Sequence, residues 1–231
     1  MTSYVTMHLH NPSAGKEAVL AEWFSGRHQE DARRLRGFVS IERFELTPEQ
    51  IMPDIAQPWR FATVYDFELS SPEIDIPALG PLLADARDQG LIEQDGTERI
   101  WSYQMYSAWR YSSNRREGPL SHIMYLPANV VPGREAEYHP WYDDVHRLEV
   151  TETPGFVGMR RGRLLEVQVE PRSFCPGSQI ILAGLQTDKL GEVQEEFKAR
   201  SLRQSKSGVQ HGPRSTAASV ARTVHFFKRI A

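Results

Sequence analysis

Two histidines, His28 and His146, stand in matching surroundings 118 residues apart. Each follows an aromatic pair, Trp23-Phe24 or Trp141-Tyr142, with three residues between. Imidazole has the side-chain pKa nearest neutrality, which makes it the usual general acid or base. The aromatic pair could wall a pocket, and the Tyr142 hydroxyl adds a proton donor that Phe24 lacks, so the second copy looks better equipped. The same residues also read as packing: a histidine bonded to a neighbouring strand, and aromatics forming helix-to-sheet core. His122 opens an apolar strand that also carries Tyr125. His8 and His10 share strand parity with Tyr4 and Thr6, a polar-leaning face that suits either a lined cavity or an exposed strand edge. Arg43 and Arg161 recur and could hold a carboxylate or phenolate, or pair with a helix acid. Asp143 could orient His146 from three residues before it. The candidate acid–base residues are therefore His146, Tyr142, His122 and His28. The candidate substrate contacts are Trp141, Trp23, Phe24, Arg161, Arg43 and Tyr125. No metal-ligand pattern is present.

A repeated framework must position these groups. With Gly15 set against Gly133, Trp23 meets Trp141, His28 meets His146 and Gly37-Phe38-Val39 meets Gly155-Phe156-Val157. In the same register Arg43 meets Arg161, Leu46 meets Leu164 and Pro58 meets Pro176. Such coincidence of rare residue types identifies an internal duplication, with halves 1–115 and 116–231. Each half reads as strand, helix, strand, strand, helix, strand. In the first, β-forming residues alternate over 4–10, and an apolar stripe through Leu20, Trp23, Phe24 and Leu35 predicts a helix over 15–35. Gly37 is expected to end it. Strands at 38–46 and 60–68, a helix at 72–89 and a strand at 100–111 follow. The second half repeats the order at 121–126, 133–150, 156–169, 178–186, 189–201 and 218–228. Pro140 falls inside its first helix, which should bend or start late. The β-α-β-β-α-β order is the ferredoxin-like unit. A sheet with helices on one face must bury the other, and two units in one chain can cover each other. The expected fold class is α+β, a tandem ferredoxin-like duplication closing into an intramolecular dimeric α/β barrel.

Gly133-Arg-Glu-Ala-Glu-Tyr-His-Pro-Trp141-Tyr142-Asp143-Asp144-Val145-His146, followed by Pro154-Gly155-Phe156 and Arg160-Arg161, resembles the dimeric α/β-barrel superfamily and, within it, EthD-like proteins. The resemblance covers both halves and is stronger in the second, because Ser25-Gly26 stands where Asp143-Asp144 does. It implies a small-molecule pocket between sheet and helices without implying one reaction. Ser121-His122-Ile-Met-Tyr125-Leu is similar to the first strand of olivetolic acid cyclase, where a histidine at this place faces the pocket. Tandem barrels of the chlorite dismutase type also resemble this chain, and in those a helical histidine ligates haem iron.

Composition narrows the field. A formal net charge of −3 gives no reason to expect nucleic acid, and no apolar run approaches a membrane span. A single cysteine, Cys175, and an N-terminus without signal-peptide character point to the cytoplasm. Phosphate-cradling loops, nucleophile elbows and zinc-site motifs are missing. The stretch 200–217, with Arg200, Arg203, Lys206 and Arg214, could cover a pocket mouth and favour an anion. The leading expectation is a cofactor-independent His/Tyr acid–base enzyme, an isomerase, lyase or cyclase, acting on an apolar aromatic or polyketide-like molecule. A haem protein and a non-catalytic ligand-binding protein are the alternatives. Further pairing into a homodimer stays open.

Overall fold

The first strand, Thr2–His10 (β1), sends its side chains to two buried destinations. Val5, Met7 and Leu9 enter one apolar cluster, whereas Thr6, His8 and His10 face the opposite side and are fully buried there too. An exposed edge is thereby ruled out, because β1 is paired on both sides. The computed structural model describes residues 1–170, 175, 177–204, 206 and 223–230, and the backbone of 219–221. Pro176, Arg214 and most of the stretch 200–217 lie outside the described residues.

The remaining strands are β2 (Phe38–Leu46), β3 (Phe61–Leu69), β4 (Arg99–Met105), β5 (Arg110–Tyr111), β6 (His122–Val130), β7 (Phe156–Leu164), β8 (Gln179–Leu185), β9 (Ser219–Ala221) and β10 (His225–Ile230). The first half orders its strands β2-β3-β1-β4, and the second orders its own β7-β8-β6-β10. β4 pairs with β7 and β10 pairs with β2, so the two sheets close into one eight-stranded antiparallel barrel. Its interior is filled by side chains from both halves, among them Phe44, Trp101, Tyr103, Tyr125 and Phe227. Each half thus covers the bare sheet face of the other, as the duplication requires.

The helices lie outside the barrel. In the first half α1 (Glu17–Trp23) opens into a kinked turn at Phe24–His28 and resumes as α2 (Gln29–Ala32). In the second, α5 (Glu135–Pro140) widens over Trp141–His146 and resumes as α6 (Arg147–Thr151). Local causes differ. Gly26 leaves helical geometry in the first copy (φ −101°, ψ −111°), while Pro140, which cannot donate to the ladder, immediately precedes the widening in the second. The shared outcome is the placement of the aromatic–histidine segment. The outer helices are α3 (Pro72–Asp75), a 3₁₀ turn (Pro77–Leu79), α4 (Gly80–Asp88) and α7 (Leu190–Ser201). No helix among the described residues is long and apolar enough to cross a membrane.

Several boundaries depart from the sequence expectation. The first helix stops at Ala32, so Gly37 is not its cap. Gly37 instead (φ +68°) lets the chain pass tightly against β3, where its carbonyl accepts from the Glu68 N–H at 2.8 Å and a Cβ would collide with the Glu68 backbone. Gly155 makes the equivalent pass, accepting from Gln186 at 2.9 Å. The strand expected over 100–111 breaks, and β5 turns aside to pair with β7. β7 ends at Leu164 rather than 169, and the final strand divides into β9 and β10.

Closure of the barrel at the β10–β2 seam makes one core of two halves. Phe44→Ala, removing a buried ring beside that seam, should cost about 3–5 kcal/mol. Denaturant unfolding followed by fluorescence and circular dichroism should show one shared transition with a lowered midpoint. Two separated transitions would mean that the halves are independent.

Candidate active site

Beneath the widened helix of the first half, the sheet presents polar residues where a core is expected. Arg43, Thr63 and His8 lie side by side on β2, β3 and β1. The next row is Ile41, Tyr65, Thr6 and Ser102. His10 lies beyond His8, with ring centroids 4.5 Å apart. The kinked turn lowers Trp23, Phe24 and His28 onto this surface, and Phe24 and His28 are each only 1% exposed. His28 stacks on Trp23 at 4.2 Å, and its Nε2 is 2.8 Å from the Tyr65 hydroxyl. Phe24 stacks on His10 at 5.4 Å, and the Arg43 guanidinium sits over the Phe24 ring at 4.3 Å.

The hydrogen bonding is incomplete. His8 Nε2 meets Glu98 Oε1 at 2.6 Å, and Glu98 is held from its other side by Arg87 Nε, also at 2.6 Å. Burial works against the Glu98 charge, but the His8 and Arg87 contacts hold its pKa at about 2. The ionised carboxylate therefore accepts from His8 Nε2–H, which fixes the orientation of the ring. His8 Nδ1, both nitrogens of His10, His28 Nδ1, Thr63 Oγ1 and Arg43 Nε are buried without a hydrogen-bond partner. Buried polar atoms are almost always satisfied, so a cluster of exceptions in one place marks a site rather than a core.

Burial also sets the protonation states. It depresses His28 to about 3, reinforced by the charges of His8 and Arg43. It holds His10 well below its ordinary value, again with His8 and Arg43 contributing. Desolvation lowers Arg43 to about 10 and raises Tyr65 well above the usual phenol range. At neutral pH the centre thus offers two neutral imidazoles, a protonated phenol, one guanidinium and one carboxylate. That set can take a proton, return it and stabilise a developing oxyanion.

Two cavities border this segment. One, of about 510 Å³, lies over the seam between the halves, with Phe24, Ser25, Ile41 and Arg43 facing Leu120, Lys228 and Ile230. The other, of about 240 Å³, is bounded by Trp23, Arg27, His28, Leu82 and Asp85. Asp85 accepts from Trp23 Nε1 at 2.9 Å.

The second half puts different chemistry at the equivalent places. Leu126, Ala128, Ile181 and Ala183 stand where His8, His10, Thr63 and Tyr65 do, in the same strand register. Tyr142 is buried in an apolar cluster with Tyr138, Met124 and Phe226. His146 stacks on Trp141 at 4.6 Å, and its Nδ1 is 3.1 Å from Glu149, not from Asp143 as the spacing suggested. Asp143 is engaged by Arg161, whose Nε and Nη2 donate at 3.1 and 2.7 Å. Of the two readings left open for the arginines, Arg161 thus takes the helix acid, and Arg43 forms no ion pair among the described residues. His122 is buried beside Ser121 at 3.0 Å, and burial lowers its pKa. Tyr125 points into the barrel interior, stacked on His225 at 5.8 Å. Of the histidine and tyrosine candidates only His28 lines a described cavity; Tyr142, His146, His122 and Tyr125 do not, and His8, His10 and Tyr65 lie behind the walls. The structure therefore gathers His28, Trp23, Phe24 and Arg43, and adds Tyr65, Thr63, Glu98 and Arg87, which no motif marked.

A helical histidine suited to a haem iron needs an open coordinating face. His28 Nε2 is committed to Tyr65, and the cavity beside it carries Asp31, Asp85 and Asp88, which oppose propionates. His146 is covered by Trp141 and bonded to Glu149. As arranged, these residues do not fit a haem. Among the described residues no three His, Cys, Asp or Glu converge as a metal site.

No family model matches the chain, and no curated protein matches it. Solved structures do. A candidate monooxygenase from Lactobacillus acidophilus superposes over 99% of this chain and 94% of its own, with a TM-score of 0.58 and 10% identity. A candidate chlorite dismutase covers 100% and 96%, with a TM-score of 0.55 and 11% identity. An anthrone oxidase-like protein covers 100% and 92%, with a TM-score of 0.54 and 10% identity. At such identities the likeness defines the fold. It is the dimeric α/β barrel, here completed within one chain.

Buried neutral histidines make stability pH-dependent. The unfolded chain binds protons at about pH 6.5 that folded His10 and His28 refuse, so stability should be complete above that pH and fall below it, for His28 down to about 3. Each such histidine should contribute about 1.4 kcal/mol per pH unit. Urea midpoints measured from pH 7 to pH 4 should fall steeply in the wild type and less steeply in His28→Gln. Equal slopes would show that His28 is not held neutral.

Proposed function

We propose that this protein is a small-molecule enzyme that uses His/Tyr acid–base chemistry without an added cofactor, as an isomerase, lyase or cyclase of the EthD-like kind. Its substrate is an apolar aromatic or polyketide-like molecule, and its working centre is in the first half. The observation that carries this reading is the group of orphaned nitrogens on His8, His10 and His28 under an aromatic helix, opposite a second half that fills the same positions with Leu126 and Ala128.

In this reading the substrate lies in the seam cavity against Phe24 and Arg43. Phe24 stands between that cavity and His10, and a swing of its ring brings the neutral imidazole to an acidic C–H beside a carbonyl. The Tyr65 phenol, paired with His28 and buried beneath the helix, becomes a donor to the oxygen on which charge builds once the same movement admits the substrate. Arg87 and Glu98 hold the His8 ring in place, so that His10 faces a fixed neighbour. Neighbours of the same fold that are described as monooxygenase or oxidase-like support enzymatic activity in general terms.

Turnover screened over aromatic and polyketide-like carbonyl compounds tests the proposal. His28→Gln and Tyr65→Phe should each lower kcat by about 10²–10⁴, the usual yield of a positioned acid or base. His146→Gln should show no comparable loss. Binding without turnover across the panel would favour a non-catalytic ligand carrier. A Soret band in protein made with ample haem would favour the haem reading, which the chlorite dismutase-like fold alone supports.

A further inference from the structure

We infer that the cavity over the seam is a receptor for a small organic anion, a carboxylate on an aromatic or otherwise apolar body, with Arg43 as its counter-charge. This rests on reading the first half as the working half and names the substrate class it takes.

Arg43 is only 9% exposed, yet among the described residues its guanidinium forms no ion pair and its Nε has no acceptor, Glu45 acting on it only from a distance. A cation in that position normally takes its partner into the protein with it, because an uncompensated buried charge is costly. The second half shows the compensated arrangement on the same scaffold, with Asp143 gripping Arg161 from the π turn. In the first half Ser25 occupies the Asp143 position, and its hydroxyl is turned away, donating to the Ala21 and Glu22 carbonyls at 3.0 and 3.3 Å. The duplication therefore retains the arginine and omits its acid in the half with the seam cavity.

The rest of the cavity agrees in sign and shape. The second half contributes Lys228 and Arg229 from β10, and the one acid on the wall, Glu42, is engaged by Arg229 at 3.2 Å. Phe24, Ile41, Leu120 and Ile230 supply apolar walls. A volume of about 510 Å³ is in the range of small-molecule sites and fits a one- or two-ring acid. A single guanidinium fork matches a planar carboxylate in two parallel hydrogen bonds. At the second-half counterpart of this seam, Tyr106 packs against Arg161 at 5.4 Å beside Asp143.

Calorimetric titration of the full chain with benzoate, 1-naphthoate and neutral 1-naphthamide tests the assignment. Wild-type protein should bind 1-naphthoate at least about tenfold more tightly than the amide, the scale of one charge-assisted contact. Ser25→Asp should erase that preference while leaving the fold intact by circular dichroism, since it installs the partner that Arg161 already has. Arg43→Met should erase it as well. Equal affinity for acid and amide, survival of the preference in folded Ser25→Asp protein, or binding of neither acid would overturn the inference. Selective acid binding without turnover would keep the receptor and remove the acid–base enzyme. Turnover confined to neutral substrates would do the reverse.

Discussion

The structure depends on one costly arrangement, a polar sheet surface pressed dry beneath an aromatic helix. His8, His10, Thr63 and Arg43 lose their water without gaining full sets of hydrogen bonds. Each unsatisfied group costs about 1–3 kcal/mol, more when charged. A small isolated sheet with one helix layer has little stability to offset that. Closure into a barrel supplies it, because Phe44, Tyr103, Tyr125 and Phe227 form a single interior to which both halves contribute. Fold and site are linked in this way: the shared core stabilises the imperfect half.

The second half shows the same scaffold with an apolar sheet surface under the helix. The aromatic–histidine helix, the opened turn and the arginine on the second strand are all retained. Apolar residues replace the polar sheet surface, Asp143 neutralises Arg161, and Tyr142 packs into the core. Duplication lets one copy carry the shape while the other carries the strain, which is a common way for structure to accommodate a functional site. The widened turn is part of that shape rather than of the chemistry, since it recurs in the apolar half.

Much of the fold was legible in the sequence because its signals are periodic and repeated. Trp23, His28, Gly37 and Arg43 recur in register, and the barrel follows from two sheets that each need a cover. The break in the strand at Tyr106 was not legible, because Ile100 to Tyr111 is uniformly rich in strand formers. The site was legible only in part. The Phe24-to-Tyr142 difference suggested a better-equipped second copy, and the fold packs Tyr142 with Tyr138, Met124 and Phe226. The informative differences were His8 against Leu126, His10 against Ala128 and Ser25 against Asp143. They gain weight only when strand register places them together under the helix. Glu98 and Arg87 lie outside every motif, and only the folded chain brings them to His8.

The central claim is that burial holds His10 and His28 neutral. Nitrogen-15 NMR of the imidazoles, followed from pH 8 to pH 5, tests it most directly. His10 and His28 should remain neutral throughout, each in a single tautomer. Titration of His10 or His28 near pH 6.5, the value of a solvated ring, would contradict it.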